Sequence, residues 1–295
     1  MVRQLLWLIA LFITVLCGAV YYLWYSAPDY PEAHKSAGLI DRASVSFDLG
    51  DSGTAQEPIT PIPLRMNLDA RKVALGKRLF FEPRFSRDNT ISCAHCHNLA
   101  AGGVDGLPRS TGVDGRVAKV NTLTVFNSGF NFRLFWDGRA ATLEDQIEFP
   151  MQHPSEMDTT WAEVIAKLGS DASYRRDFLA IYPEGITPLS VKNAIATFER
   201  SLITPNSKFD RYLRGDKQAL DSDELAGYEL FKSLGCISCH QGMNVGGNLY
   251  EKLGLVGNYF ADRGNVQKAD FGRYNVTGIE KIAMSSVCLH CAMWR

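Results

Sequence analysis

Two short stretches decide the interpretation of this chain: Cys-Ala-His-Cys-His at residues 93–97 and Cys-Ile-Ser-Cys-His at residues 236–240. Both follow the pattern C-x-x-C-H, by which a protein attaches a c-type haem: two thiols about one helical turn apart bond to the vinyl groups, and the next histidine ligates the iron. The alternative interpretation of the cysteines is a pair of zinc ligands or a redox dithiol. Chance supplies only about 0.003 C-x-x-C-H motifs in a chain of this composition, and this chain has two. The stretches therefore predict two haem sites, attached through Cys93, Cys96, Cys236 and Cys239, with His97 and His240 as iron ligands.

Each motif is preceded by a matching element near the end of a predicted helix. Gly-Lys-Arg-Leu-Phe occupies residues 76–80 before the first motif, and Gly-Tyr-Glu-Leu-Phe occupies residues 227–231 before the second. Because both follow G-x-x-L-F and both lead into a haem motif, they indicate an internal duplication of a cytochrome c-like unit. A haem is mostly apolar surface, so the Leu-Phe pairs are predicted to form walls of the two haem pockets.

Composition and periodicity predict a mostly α-helical protein of about two domains. The 295 residues carry a net charge of −1, which excludes a nucleic-acid binder that depends on a basic surface. A hydrophobic content of 46% and a charged content of 21% are typical of a globular protein. From residue 64 onward helical spacing recurs, and no stretch alternates clearly enough to predict a strand. Helices are predicted at residues 68–80 with Asn67 as the cap, from Thr142 onward, at 161–168, at 191–202 and at 222–234.

The N-terminus is predicted to anchor the chain in the inner membrane. Residues 5–25 contain no charged side chain and, as a helix, reach ~31 Å, which is enough to cross a bilayer. A cleaved signal peptide is the alternative, but its apolar region is usually only about 7–15 residues long. Arg3 favours an N-terminus inside the cell, which places the rest of the chain in the periplasm. The predicted parts are an anchor at 1–26, a proline-containing linker at 27–62, and haem domains at 63–205 and 206–295.

Four blocks between the haem motifs point to chemistry beyond electron transfer. They are NTLTVFN at residues 121–127, FWDGR at 135–139, LEDQ at 143–146 and PSEM at 154–157. With the haem motifs, these blocks follow the order and approximate spacing of the bacterial dihaem cytochrome c peroxidases, which the chain resembles from about residue 64 to residue 278. The resemblance implies an all-α fold of two cytochrome c-like haem domains.

The resemblance also implies a role for individual site residues. In this family the N-terminal haem is the peroxidatic one, so Glu156 would act as the acid–base group and Gln146 would position the peroxide. Trp136 would relay electrons between the two haems. Asn121 matches a position that binds calcium between the domains, although one oxygen ligand alone is weak support for a calcium site.

Two features depart from the family pattern. Many members carry a histidine that caps the peroxidatic iron in the resting enzyme, and the matching position here is Val113. Because valine has no ligand atom, we expect the first haem to need no reductive activation. The match stops after Gly278, and another reading frame of the tail would encode a sequence close to that of the family. We therefore expect a frameshift after about residue 280, an incomplete C-terminal domain, and loss of the methionine that usually ligates the second haem.

Together these features predict a membrane-tethered cytochrome-c peroxidase, an oxidoreductase that reduces hydrogen peroxide to water. The resemblance implies that a small periplasmic cytochrome c or a cupredoxin supplies the electrons, and that the enzyme forms a homodimer. Two alternatives remain open. One is a dihaem cytochrome that only transfers electrons, and the other is a superfamily member that oxidises a partner protein.

Overall fold

The computed structural model describes residues 47–48, 57–135, 137–246, 250–252 and 281–283. The predicted membrane anchor at residues 1–26, most of the predicted linker and the tail after residue 283 lie outside these ranges. Within the described ranges, no helix combines the length and the apolar character that a membrane span requires.

Helices dominate the described part of the chain. The α-helices are α1 (Ala70–Phe80), α2 (Cys93–Cys96), α3 (Leu143–Gln152), α4 (Trp161–Gly169), α5 (Ala172–Leu179), α6 (Pro188–Ser201), α7 (Lys208–Leu213) and α8 (Ser222–Ser233). Two antiparallel pairs of very short strands accompany them, namely β1 (Phe47–Asp48) with β2 (Arg65–Met66), and β3 (Tyr250–Lys252) with β4 (Lys281–Ala283). The predicted, mostly helical class is confirmed, and the strands that the sequence pattern did not predict are only two or three residues long.

Capping chemistry explains where the helices begin. The predicted cap Asn67 is wrong, because α1 begins after Asp69, whose side chain accepts a hydrogen bond from the backbone N–H of Arg71 at 2.9 Å. Asp69 thereby satisfies one of the first N–H groups of the helix, which have no partner within the helix itself. Thr142 caps α3 as predicted, since its hydroxyl accepts from the backbone N–H of Asp145 at 3.0 Å.

Periodicity identified the longer helices and missed three short ones, of which α2 spans only four residues of the first haem motif. The predicted helices at residues 161–168, 191–202 and 222–234 correspond to α4, α6 and α8. In α5 only Tyr174 and Phe178 are buried, and α7 has six residues, so neither segment provides enough apolar positions for a helical pattern.

The larger core forms where α1 packs along α6. Their backbones approach each other closely at Gly76, which faces the carbonyl of Ala194. Leu79, Phe80 and Ile195 are fully buried in this core, which continues through α3, α4 and α5. The first haem motif lies at the edge of this core, since Cys93 packs against it.

A second, smaller core surrounds α7 and the buried Tyr228 of α8, and a buried amide links it to the first. The Nδ2 group of Asn244 donates to the backbone carbonyl of Asn127 at 3.0 Å and to Oδ1 of Asn131 at 2.6 Å. The two clusters of buried side chains lie in one compact unit, and the predicted domain boundary between residues 205 and 206 stays a prediction.

Candidate haem sites

A cavity lies beside the first haem motif. Cys93, Cys96 and His97 form part of its wall, and Ile147 and Met151 of α3 form another part. A single apolar cavity that presents both thiols and the histidine of one motif is what covalent attachment of a haem requires.

The imidazole of His97 is held in the orientation that an iron ligand needs. Its Nδ1–H donates to the backbone carbonyl of Gly103 at 3.2 Å, and since a carbonyl only accepts, Nε2 keeps its lone pair. Burial lowers the pKa of His97, so the neutral, metal-binding form prevails. The ring of Phe80 lies 6.5 Å from the imidazole, centroid to centroid.

The second motif repeats this geometry. Nδ1–H of His240 donates to the backbone carbonyl of Val245 at 3.1 Å, and the ring of Phe231 lies 6.2 Å from the imidazole. Phe80 and Phe231 are the last residues of the two G-x-x-L-F elements, so each element ends beside the histidine of its own motif. The second histidine is therefore oriented by the same kind of backbone contact as the first.

The thiols of the first motif lie in surroundings that suit the apolar edge of a haem. Burial raises the pKa of Cys96 to about 11, with a smaller contribution from Asp105, and burial also raises the pKa of Cys93 well above its usual range. Partly buried neutral thiols, an oriented histidine and an adjacent apolar cavity fit a c-type haem, and the residues of the first motif therefore match the predicted group.

Both predicted catalytic residues lie on the wall of the same cavity. Gln146 comes from α3, and Glu156 comes from the turn that follows this helix. The backbone N–H of Glu156 donates to the carbonyl of His153 at 3.0 Å, which fixes the turn. Burial raises the pKa of Glu156, and the guanidinium of Arg139 partly opposes that rise. The structure thus brings Gln146 and Glu156 together with the first haem motif, and their roles stay predictions.

The structure places His153 beside Glu156, a proximity that the sequence did not predict. The backbone N–H of Ser155 donates to Nδ1 of His153 at 3.2 Å, and the hydroxyl of Ser155 lies 3.0 Å from the same nitrogen. The Oε1 atom of Glu156 lies 3.8 Å from Nδ1 of His153. Burial lowers the pKa of His153, and the positive charges of Lys119 and Arg139 lower it further. A lone histidine after a helix has no pattern that marks it, so only the fold shows this proximity.

Two predicted site residues are not brought into the cavity by the described structure. Trp136 lies outside the described residues, although its neighbours are described: Arg139 pairs with Asp137 at 2.8 Å and lies over the ring of Phe135. Asn121 is exposed, and within the described ranges no group of three or more carboxylate, histidine or cysteine side chains is placed to hold a metal ion. The relay and the calcium site stay predictions.

The residue at the position of the family's capping histidine is part of the core. Val113 is 1% exposed, and its backbone N–H donates to the carbonyl of Glu156 at 2.9 Å. The loop that contains Val113 therefore supports the turn that carries Glu156 through its backbone.

Gly112 lets this loop approach the turn that carries Glu156 closely. A Cβ on Gly112 would lie 2.6 Å from Cα of Glu156 and even closer to the carbonyl oxygens of Ser155 and Glu156. We expect Gly112→Ala to push the turn away, to lower stability by about 1–3 kcal/mol and to reduce activity. Thermal unfolding and turnover measure both effects. Gly169→Ala is the control, since a Cβ there meets no described atom within 4 Å, and equal losses in the two variants would contradict the prediction.

Comparison with known proteins agrees with this geometry. The sequence profile of the di-haem cytochrome c peroxidases matches residues 70–218 of the chain. Cytochrome c peroxidase Ccp of Escherichia coli (strain K12) is 50% identical over 226 residues, which cover 76% of this chain and 48% of that protein. Cytochrome c551 peroxidase of Nitrosomonas europaea is 42% identical over 227 residues, which cover 77% of this chain and 66% of that protein.

A solved structure shares the fold. A MauG-like protein associated with microbial copper homeostasis matches with a TM-score of 0.61 and 26% identity, over 78% of this chain and 73% of that one. The chain spans about half to two thirds of the length of the two curated relatives named above. Since the family profile covers half of the chain, the chain belongs to the di-haem cytochrome c peroxidase family.

Proposed function

We propose that this protein is a dihaem peroxidase that reduces hydrogen peroxide to two waters, with two electrons and two protons consumed in each turnover. The observation that carries the proposal is that Gln146 and Glu156 share one cavity with Cys93, Cys96 and His97. A pure electron carrier needs no acid–base group beside its haem, whereas peroxide reduction needs one to move a proton between the two oxygens.

Each residue of the site has its own role in the proposed reaction. Cys93 and Cys96 would hold the haem and His97 would ligate its iron, and the bound haem would supply the redox chemistry that peroxide reduction needs. Glu156 takes a proton from one peroxide oxygen and delivers it to the other, so that the departing oxygen leaves as water. The amide of Gln146 orients the peroxide by hydrogen bonding. The apolar cavity wall limits access of bulk water and strengthens these polar interactions.

We extend the proposal to the parts of the system that the described residues leave untested. Cys236, Cys239 and His240 would hold a second haem, which would supply the entry point for electrons from a small cytochrome c or a cupredoxin. Trp136 relays these electrons to the first haem. Asn121 contributes to a calcium site, residues 1–26 anchor the protein in the inner membrane with its haem domains in the periplasm, and two copies form a homodimer.

The test is peroxide turnover by the chain after expression in a host that matures c-type cytochromes. The proposal predicts two covalently bound haems by mass and by haem staining, and peroxide-dependent oxidation of a reduced monohaem cytochrome c or cupredoxin. Covalent haem without peroxide turnover would favour the electron-carrier alternative. Oxidation of a partner protein in the presence of peroxide, without oxidation of either donor, would favour the partner-oxidising alternative.

The resting spectrum tests the consequence of Val113. Because valine offers no ligand atom, the ferric enzyme is expected to contain one haem that is not bis-histidine ligated. Electron paramagnetic resonance and absorption of the fully oxidised protein measure this directly. The enzyme is then expected to turn over peroxide without prior partial reduction. A fully six-coordinate bis-histidine signal from the first haem would overturn the expectation.

A further inference from the structure

A second carboxyl group lines the first haem cavity, and the proposed acid–base step does not use it. Glu199 lies on α6, is 5% exposed and forms part of the cavity wall with Cys93. Its Oε2 atom is buried and has no hydrogen-bond partner among the described residues. A buried carboxylate without a partner is costly, so a group in this position must keep a proton or receive one from what it faces.

Arg200, which follows Glu199 in the chain, forms an ion pair with another carboxylate, Glu144. Arg200 donates to Oε1 and Oε2 of Glu144 at 2.7 and 2.8 Å, and the side chain of Glu144 is only 3% exposed. Burial raises the pKa of Glu199 to about 8; Glu144 adds to the rise and Arg200 opposes it. At neutral pH the carboxyl group of Glu199 is therefore mostly protonated. The opposite charges of Glu144 and Arg200 near it balance each other.

Glu199 and Glu156 reach the cavity wall from different elements, namely α6 and the turn after α3. The charge of Glu199 acts on Cys93, whereas the charge of Glu156 acts on Cys96. The groups that act on Glu199 from the surrounding helices are thus Glu144 on α3, Arg200 on α6 and Cys93 on α2, the last of which no longer titrates once it is bonded to a haem. Glu199 is therefore free to serve a role separate from that of Glu156.

We propose that Glu199 is a proton-accepting group coupled to the first haem site, which binds a proton from solvent at its carboxylate when the site accepts one electron. The added electron comes from a one-electron reductant, and the proton restores the charge of the cavity. A change of one unit of charge at ~10 Å shifts proton affinity by about tenfold at an effective dielectric constant of ~20. The inference rests on the haem attachment in the proposed function, but not on peroxide turnover.

The coupling predicts how the reduction potential depends on pH. Where Glu199 is ionised in the oxidised protein and protonated in the reduced one, the equilibrium constant for reduction falls by up to tenfold per pH unit, equivalent to about 59 mV. Below that range the potential becomes flat again, because the carboxyl is protonated in both states. The pH dependence is therefore expected above neutral pH, around the raised pKa of Glu199.

The experiment is a spectroscopic redox titration of the haem-loaded chain from pH 5 to pH 10. Glu199→Gln keeps the shape of the side chain but cannot bind or release a proton. The pH dependence of the reduction potential of the first haem is therefore expected to weaken in this variant. The second haem serves as an internal reference, and Glu184→Gln, at an exposed position, is expected to match the wild type. An unchanged pH dependence in Glu199→Gln would overturn the proposal.

A measurement on the unaltered protein guards against a variant that fails to fold. The infrared difference spectrum between the reduced and oxidised protein is expected to show a carboxylic acid C=O band at pH 8 that shifts in D₂O. Absence of any carboxylic acid signal would equally overturn the inference. A protein that carries no haem would instead show no potential at all, and that result would reject the proposed function itself.

Discussion

Replacing Glu156 by Gln is expected to lower kcat/KM for hydrogen peroxide by about 10²–10⁴-fold, the usual contribution of a positioned acid–base group. Glu156 lies on the wall of the cavity that contains the first haem motif, and burial raises its pKa. Glutamine keeps the size and the hydrogen-bonding surface of the side chain but cannot accept a proton. The measurement is steady-state oxidation of a reduced donor at several peroxide concentrations.

The pH profile separates loss of chemistry from loss of structure. In the wild type the rate is expected to fall as the pH drops through the raised pKa of Glu156, because the protonated carboxyl cannot accept the peroxide proton. This acidic limb is expected to disappear in Glu156→Gln. Glu184→Gln, with an unchanged haem spectrum, provides the matched control. A Glu156→Gln enzyme with more than half of the wild-type kcat/KM would contradict the assignment.

Replacing Gly76 by Ala is expected to destabilise the fold by about 3 kcal/mol or more, which for a domain of this size lowers Tm by about 6–12 °C. A Cβ at residue 76 would lie 2.6 Å from the carbonyl carbon of Ala194 and 2.8 Å from Cβ of Phe198, with the Ala194 oxygen closer still. Since backbone atoms on α6 cannot rotate away, the two helices must separate. Thermal and urea unfolding measure the loss.

The internal repeat provides the control for this substitution. Gly227 occupies the same place in the second G-x-x-L-F element, but a Cβ there meets no described atom within 4 Å. Within α8 alanine is a better helix former than glycine, so Gly227→Ala is expected to stabilise the chain by about 0.5–1 kcal/mol. Effects of the same sign at Gly76 and Gly227 would show that the close approach of α1 to α6 does not hold in solution.

The haem motifs could be identified from the sequence because haem attachment depends on residues that are close together in the chain. Attachment needs two thiols at a fixed short spacing and an adjacent histidine, and residues 93–97 and 236–240 supply them without help from the rest of the fold. The long amphipathic helices were predictable for a similar reason, since the apolar spacing of α4 and α6 appears within a few turns. The start of α1 was misplaced at Asn67 because Asp69, two residues later, offers an equally good cap.

The roles of Glu156 and Gln146 came from the resemblance to a family, not from any local pattern. Nothing in residues 143–157 alone indicates that two side chains from a helix and its following turn reach the cavity beside Cys93. The proximity of His153 to Glu156 and the burial of Glu199 also depend on how helices distant in sequence pack. Such contacts depend on side chains that approach from separate elements.

By itself, the sequence determined the covalent chemistry of the two haem motifs, the duplication that surrounds them and the mostly helical class, because each depends on residues close together in the chain. Only the tertiary structure decided which of two equivalent glycines is essential for packing and which carboxyl groups share the first cavity. Burial and close backbone contact arise only when α1, α3 and α6 pack together, and they give chemically identical residues different roles.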